Sequence, residues 1–287
     1  MNFWQKLKQD KIAIVSLSII TIVLLVGIFA PVIALHSPIE KNIKIKFTDA
    51  SLTYPFGTDQ LGRCIFSRLV YGIQTTVLLA LVTMVVTIGI GTILGLIAGY
   101  ARGKIDECIM RICDVLLSFP SEVMIFAIVG MLGPGLLHVM IANIASKWAW
   151  YTRMIRSLVL QYRDKNYIRF AKAAGCSDSY ILHKHLFPSI IGDIAVLATL
   201  DTGWVILNIS ALSFLGLGVQ APTPEWGMML KEAKNVMTMY PSLMLAPGLS
   251  ILIVVAAFQF LGDSIRDALD PKHNQQKAVI KNELNRS

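Results

Sequence analysis

The sequence predicts an all-α polytopic membrane protein with six transmembrane helices and both termini in the cytoplasm. Three observations predict it. First, 55% of the 287 residues are hydrophobic, only 15% are charged, and mean hydropathy is +0.62. A soluble protein carries about 25% charged residues, and this composition could not cover a water-exposed surface. Second, the apolar residues gather into runs of bilayer length, about 20 residues for a hydrocarbon core of about 30 Å. Third, the cations fall unevenly between the segments that join those runs. A disordered or collagen-like chain is excluded by the same composition. Lipid offers no partners to backbone N–H and C=O groups, so each run is read as a helix.

The first run, residues 12–35, contains no charge. It is too long for a signal-peptide core and lacks a small-x-small cleavage site before Pro31, so it reads as an uncleaved first span. Residues 36–74 form an external segment punctuated by Pro55, Gly57 and Gly62, a structured cap or a docking surface. The second span covers residues 75–100 and the third residues 109–132. Gly133-Pro134-Gly135 makes a tight turn into the fourth, residues 136–155. The fifth, residues 190–217, is interrupted by Asp193 and Asp201. The sixth covers residues 242–261. Pro120 and Pro247 are expected to kink the third and sixth spans. The chain therefore divides into a first span with its external segment (residues 1–74), a five-helix core (75–262) with a cytoplasmic loop (156–188), and a cytoplasmic tail (263–287).

Eighteen of the 26 Lys and Arg residues lie in segments 1–11, 101–111, 153–188 and 263–287. Seven lie in segments 36–74 and 218–241, and Lys147 is the remaining one. The positive-inside rule places the first group in the cytoplasm. The net charge of +8 is thus a consequence of topology, and no nucleic-acid-binding domain is expected. Of the four cysteines, Cys64, Cys108, Cys113 and Cys176, only Cys64 is expected outside. No disulfide framework follows, and no C-x-x-C is present for a zinc site. No metal site or cofactor is expected. The enzyme motifs G-x-S-x-G and H-E-x-x-H are absent. So is G-x-x-x-x-G-K-[ST], and the chain itself is not expected to hydrolyse ATP.

The loop 156–188 is long and basic and reads as helix, turn, helix. Tyr167 to Ala174 are good helix formers, Gly175 can end that helix in the left-handed conformation, and Ser177 or Asp178 can cap the next. Pro188 is expected to stop the second helix before the fifth span. Such a hairpin on a chain with little other soluble mass is a contact surface, or an amphipathic element resting on lipid headgroups.

Asp201 and Lys147 are ionisable groups near mid-bilayer, where charge is expensive and marks function. They are candidates for a buried ion pair, or Asp201 is free to attract a cation or a peptide amine. His138 is a polar cap at the outer end of the fourth span or a transient metal ligand. Met228, Met229, Met237 and Met239 are packing residues or soft contacts. Gly91, Gly95 and Gly99 recur every four residues, the pattern that lets membrane helices approach closely.

Several segments resemble one family. Ala171-Lys-Ala-Ala-Gly175, followed thirteen residues later by Pro188, is similar to the cytoplasmic "EAA" loop of ABC importer permeases. Tyr54-Pro-Phe-Gly-Thr-Asp-Gln-Leu-Gly-Arg63 with Ser67-Arg68 resembles the segment after the first span in the peptide/nickel class. So do Arg111-x-x-Asp114, Ser118-Phe-Pro120, Leu132-Gly-Pro-Gly135 and Trp148-x-x-Tyr151-x-Arg153. Leu212-Ser-Phe-Leu-Gly-Leu-Gly218, Pro222-Thr-Pro-Glu-Trp-Gly227 and Leu261-Gly-Asp-x-x-Arg-Asp-x-Leu-Asp-Pro271 complete the match. The resemblance covers about residues 1–272. It implies a type I ABC importer transmembrane domain in a bacterial plasma membrane. Its partners would be a second, homologous permease, two ATP-binding subunits and an external solute-binding protein. The loop residues Arg169, Ala171, Ala173, Ala174, Gly175, His185 and Pro188 would seat on one ATPase. Arg169 stands at the position of the loop's name-giving Glu, and Cys64 at that of a usual Asp. Ile209 stands where peptide permeases usually carry Glu. That last change points the expected cargo toward nickel or a metal chelate, with di- or oligopeptides as the alternative. A stand-alone secondary transporter or channel is the remaining alternative. It often shows internal repeats, and none is evident here.

Overall fold

The computed structural model describes residues 3–270. Among the described residues the regular elements are helices, with one isolated bridge between Thr58 and Cys64. A short amphipathic α1 (Phe3–Gln9) leads through the Asp10 cap into α2 (Lys11–Ile28) and α3 (Ala30–Ile33). After an irregular segment, α4 (Ile65–Ile73) runs through a π-helical turn into α5 (Leu79–Ala101). Then follow α6 (Gly103–Leu117), α7 (Ser121–Leu132) and α8 (Leu136–Arg163). The loop hairpin is α9 (Asn166–Ala173) and α10 (Asp178–Ile181), and α11 (Phe187–Leu215), α12 (Trp226–Ala233) and α13 (Ser242–Leu269) complete the chain. Of the expected tail 263–287, residues 263–269 continue α13 and residues 271–287 lie outside the described residues.

Four helical stretches are long and apolar enough to cross a membrane: Lys11–Ile28, Ile65–Ala101, Asp178–Leu215 and Ser242–Leu269. The α6–α7 pair makes a fifth if it is counted as one span. The expected third span is not a kinked helix. It is broken by 82° between α6 and α7. Proline has no N–H to donate and pushes the preceding residue, Phe119, out of the helical region, so Pro120 ends one helix and begins the other. The expected fourth span, α8, is 28 residues long, yet Lys147, Arg153, Arg156 and Arg163 make it more polar than the four long apolar stretches. Pro247, in contrast, is accommodated inside α13.

The core is built on three lengthwise contacts: α5 along α8, α11 along α13, and α13 against α2. The first is set by the glycine stripe. A Cβ at Gly91 would lie 2.4 Å from the Tyr151 Cβ, one at Gly95 2.8 Å from the Ile155 Cβ, and one at Gly99 2.7 Å from the Val159 Cβ. The stripe thus faces α8 within the same chain. Much of α2 keeps large apolar side chains exposed, among them Ile14, Leu17, Ile22 and Leu25, as a lipid-facing helix must.

Candidate translocation and coupling sites

The hairpin follows the sequence closely up to Pro188. Gly175 has φ +79°, a conformation that favours glycine. The Gly175 N–H donates to the Lys172 carbonyl, and the Cys176 N–H to that of Ala171, closing α9 as a Schellman motif. The Ser177 hydroxyl accepts from the Tyr180 N–H and caps α10. Pro188 does not stop the second arm. The Phe187 N–H reaches back five residues to the Leu182 carbonyl in a π-helical turn, and Pro188 falls in the first turn of α11. A proline is tolerated there. The second arm and α11 are therefore one continuous rod from Asp178 to Leu215.

Arg169, Ala173, Ala174 and Gly175 are exposed on the hairpin, as is Phe170 at 77%. Ala171 faces inward with Ile168 and Ile181. His185 is half-buried between the rings of Tyr167 and Tyr180, so it braces the two arms. The turn end of the hairpin is tied to α5. The Tyr100 hydroxyl donates to Asp178, and the Lys172 ammonium lies 4.5 Å from the centre of the Tyr100 ring. The Lys6 ammonium donates to the Ala268 carbonyl, which brings α1 to the end of α13.

At the opposite end, two distant sequence motifs form one charged cluster. Arg63 and Arg68 are each 1% exposed. The Glu232 carboxylate accepts from both, at 2.8 and 2.9 Å. Asp59 accepts from Arg63 Nε at 2.6 Å and from the backbone N–H groups of Leu61 and Arg63. The segment 54–68 is thereby locked onto α12. Cys64 opens α4 without a side-chain cap bond.

Next to this cluster, Glu225 caps α12 through the N–H groups of Gly227 and Met228, and it also accepts from the Thr76 and Ser210 hydroxyls. It is fully buried. Burial pushes its carboxyl above the usual carboxylate range, and the two backbone donors pull in the other direction. A raised folded-state pKa means the native state binds its proton more tightly than the unfolded one. That contribution to stability is fully present below the unfolded pKa and is lost as pH rises through the folded value. In detergent melts, Glu225→Gln should therefore show a flatter decline of midpoint with rising pH than wild type. An identical pH slope would sink this assignment.

Between the two ends lie Lys147 and Asp201, candidates for an ion pair or a path contact, and no salt bridge joins them. Asp201 instead accepts a hydrogen bond from the Tyr151 hydroxyl, and the Lys147 ammonium lies 3.8 Å from the centre of the Trp204 ring. Tyr151 lies four residues from Lys147 on α8, and Trp204 three from Asp201 on α11, so each charge meets an aromatic side chain of the facing helix, Asp201 through a hydroxyl and Lys147 through a ring face. His138 Nδ1 is 2.9 Å from the Gly133 carbonyl, bracing the turn between α7 and α8. Among the described residues, no group of three or more His, Cys, Asp or Glu is placed to hold a metal, and the four cysteines are free.

Sequence reasoning missed the pairings among the motifs. Arg153 meets Asp114, joining α8 to α6. Arg156 meets Asp106 through two bonds of 2.5 and 2.6 Å. Their signal in the sequence was only the presence of charge beside apolar runs.

Residues 91–275 match the family described as binding-protein-dependent transport system inner membrane component. Residues 1–50 match the N-terminal TM domain of oligopeptide transport permease C. The chain belongs to the binding-protein-dependent permease family. The permease is 44% identical over 272 residues to the metal-staphylopine import system permease protein CntC of Staphylococcus aureus, covering 95% of this chain and 94% of that protein. It is 42% identical to the dipeptide transport system permease protein DppC of Alkalihalophilus pseudofirmus, over 94% and 88% of the two chains. It is 40% identical to the nickel transport system permease protein NikC of Escherichia coli, over 75% and 78%. The permease is therefore a multi-pass plasma-membrane subunit of an ABC importer, a transport component in place of an enzyme.

Proposed function

We propose that this permease imports nickel or a metal–chelate complex. The path would be formed with a second, homologous permease, driven by two ATP-binding subunits and supplied by an external solute-binding protein. The observation that carries the cargo class is the 44% identity, over nearly the full chain, to a permease named for metal-staphylopine import. The presence of Ile209 in place of a carboxylate supports it. A short peptide is the second reading, favoured by the 42% identity to a dipeptide permease.

The hairpin is the proposed ATPase contact. Arg169, Ala173, Ala174 and Gly175 would sit in a groove of one ATPase, with the exposed Phe170 as an apolar anchor. Because the second arm continues unbroken into α11, closure of the ATPases would be transmitted as rigid-body movement of that helix. Residues 36–74 and α12 would receive the binding protein at the other face.

The test is ATPase stimulation in the reconstituted four-subunit complex with its binding protein. Nickel chloride, nickel iminodiacetate and dialanine are compared. Stimulation by a nickel form and none by dialanine is expected; stimulation by dialanine alone would overturn the metal reading in favour of the peptide.

A further inference from the structure

The polar side chains between α8 and α11 form a ladder. Two contacts define its register: Tyr151 with Asp201, and Lys147 with Trp204. Each step is four residues back on α8 and three forward on α11, so the helices run antiparallel and each set occupies one helix face. Asn143 on α8 and Asn208 on α11 each lie four residues further along these faces.

Those two asparagines supply an independent observation. Asn143 is 1% exposed and its Nδ2 donates to the Val139 carbonyl at 2.8 Å. Its Oδ1 is buried without a hydrogen-bond partner, and so is the Oδ1 of Asn208. Buried side-chain acceptors without a donor are uncommon, and each calls for a partner. Both lie one turn from the Lys147–Trp204 contact, one on each helix.

The ladder lies at bilayer depth. Asp201 is at the centre of α11, and Tyr151 packs against Gly91 near the middle of α5. Ionisable groups at this depth face a protein interior or a water-filled path. Lys147 and Asp201 are both partly exposed on the single chain. Among the described residues, neither makes a salt bridge. The seam thus presents a cation and an anion one helical turn apart, held by aromatic groups and left available to a third party.

We propose that the α8–α11 seam is a cargo subsite for a zwitterionic amino-carboxylate ligand. A ligand carboxylate replaces Trp204 as the partner of the Lys147 ammonium. A ligand ammonium, or the N–H of a metal-bound amine, meets Asp201. Further N–H donors of the ligand satisfy the amide oxygens of Asn143 and Asn208. Tyr151 positions the Asp201 carboxylate. This rests on the reading of the cargo as a chelate or short peptide, because Lys147 repels a bare cation. Each contact is single and replaceable by water, which suits a site that must release what it binds.

The test measures cargo imported per ATP hydrolysed, in proteoliposomes holding the full complex and its binding protein. Wild type is first given nickel chloride, nickel iminodiacetate and dialanine. Lys147→Gln, Asp201→Asn and Lys147→Arg are then compared on the probe that wild type accepts. Loss of one charge-assisted bond in the path should lower cargo per ATP about tenfold in each neutral variant, and Lys147→Arg should retain most of it. The double swap Lys147→Asp with Asp201→Lys should fail to restore import. If wild type takes up a zwitterion and the neutral variants match it, the subsite is wrong; the metal reading stands where that zwitterion is nickel iminodiacetate and fails where it is dialanine alone. The subsite is equally wrong if uptake and hydrolysis fall together in proportion to assembled complex, or if the swap restores import. If wild type takes up nickel chloride and neither zwitterion, the subsite is wrong and the reading of nickel as the cargo stands.

Discussion

Replacing Glu232 by Gln should destabilise the permease by about 3–5 kcal/mol, the usual result of leaving a buried charge without its partner. Arg63 and Arg68 share the Glu232 carboxylate, and both guanidinium groups are almost completely shielded from water. With Asp59 they make a neutral set of two cations and two anions. Removing one anion leaves a net buried positive charge, while the side-chain volume hardly changes. The expected readout is a marked fall in the detergent melting midpoint and in the yield of assembled complex. The double variant Glu232→Gln with Arg68→Gln restores neutrality, so it should recover part of the loss. A double variant less stable than Glu232→Gln alone would refute the charge-balance account. It would leave packing of the long Arg68 side chain as the dominant contribution.

Gly95→Leu should have an effect of similar size by a different route. A Cβ at position 95 would meet the Ile155 Cβ at 2.8 Å and the Thr152 carbonyl oxygen at 2.8 Å. Overpacking a well-filled contact typically costs about 1–3 kcal/mol. Here it is applied at the centre of the most extensive helix contact, where α5 and α8 have no hydrophobic driving force to hold them together against lipid. The larger leucine must push the helices apart along the whole stripe, so Gly91 and Gly99 lose their contacts with Tyr151 and Val159 as well. The expected observation is loss of assembled complex in membranes. Ile155→Ala should rescue only part of it, because one of the two clashes is with backbone and cannot be relieved by trimming a side chain. Wild-type complex yield from Gly95→Leu would contradict this account.

The two variants also separate what could be read early from what could not. The glycine stripe was visible as a four-residue repeat, but its partner was open between this chain and a second permease. Three distances to Tyr151, Ile155 and Val159 settle that within one chain. Glu232 attracted no attention in the sequence. It lies far along the chain from Arg63 and Arg68, and charge in an external loop usually means solvation. Only the folding of residues 54–68 onto α12 removes the water.

The hairpin shows the same division on a smaller scale. Its first arm, its left-handed Gly175 and its Ser177 cap depend on residues within a few positions of one another, so local chemistry was sufficient. The behaviour of Pro188 was misread, because a π-helical turn supplied a different acceptor pattern just before it. Pro120 suggests a kink from the sequence and is an 82° break in the structure; proline permits either outcome. Lys147 and Asp201 were recognised as out of place, but their pairing was not, because depth along a helix does not specify which face a side chain occupies.

Membrane residence, helical class, the positions of the apolar runs and the family were all legible in the order of residues. They follow from local properties: hydropathy over a bilayer length, the uneven placement of cations, and short motifs in fixed sequence. The destination of each charge was decided by the packed chain. Asp59, Arg63, Arg68 and Glu232 close on one another, whereas Lys147 and Asp201 stay apart. Electrostatic partners are chosen by distance and burial, and both arise from helix register and close approach between segments far apart in the chain.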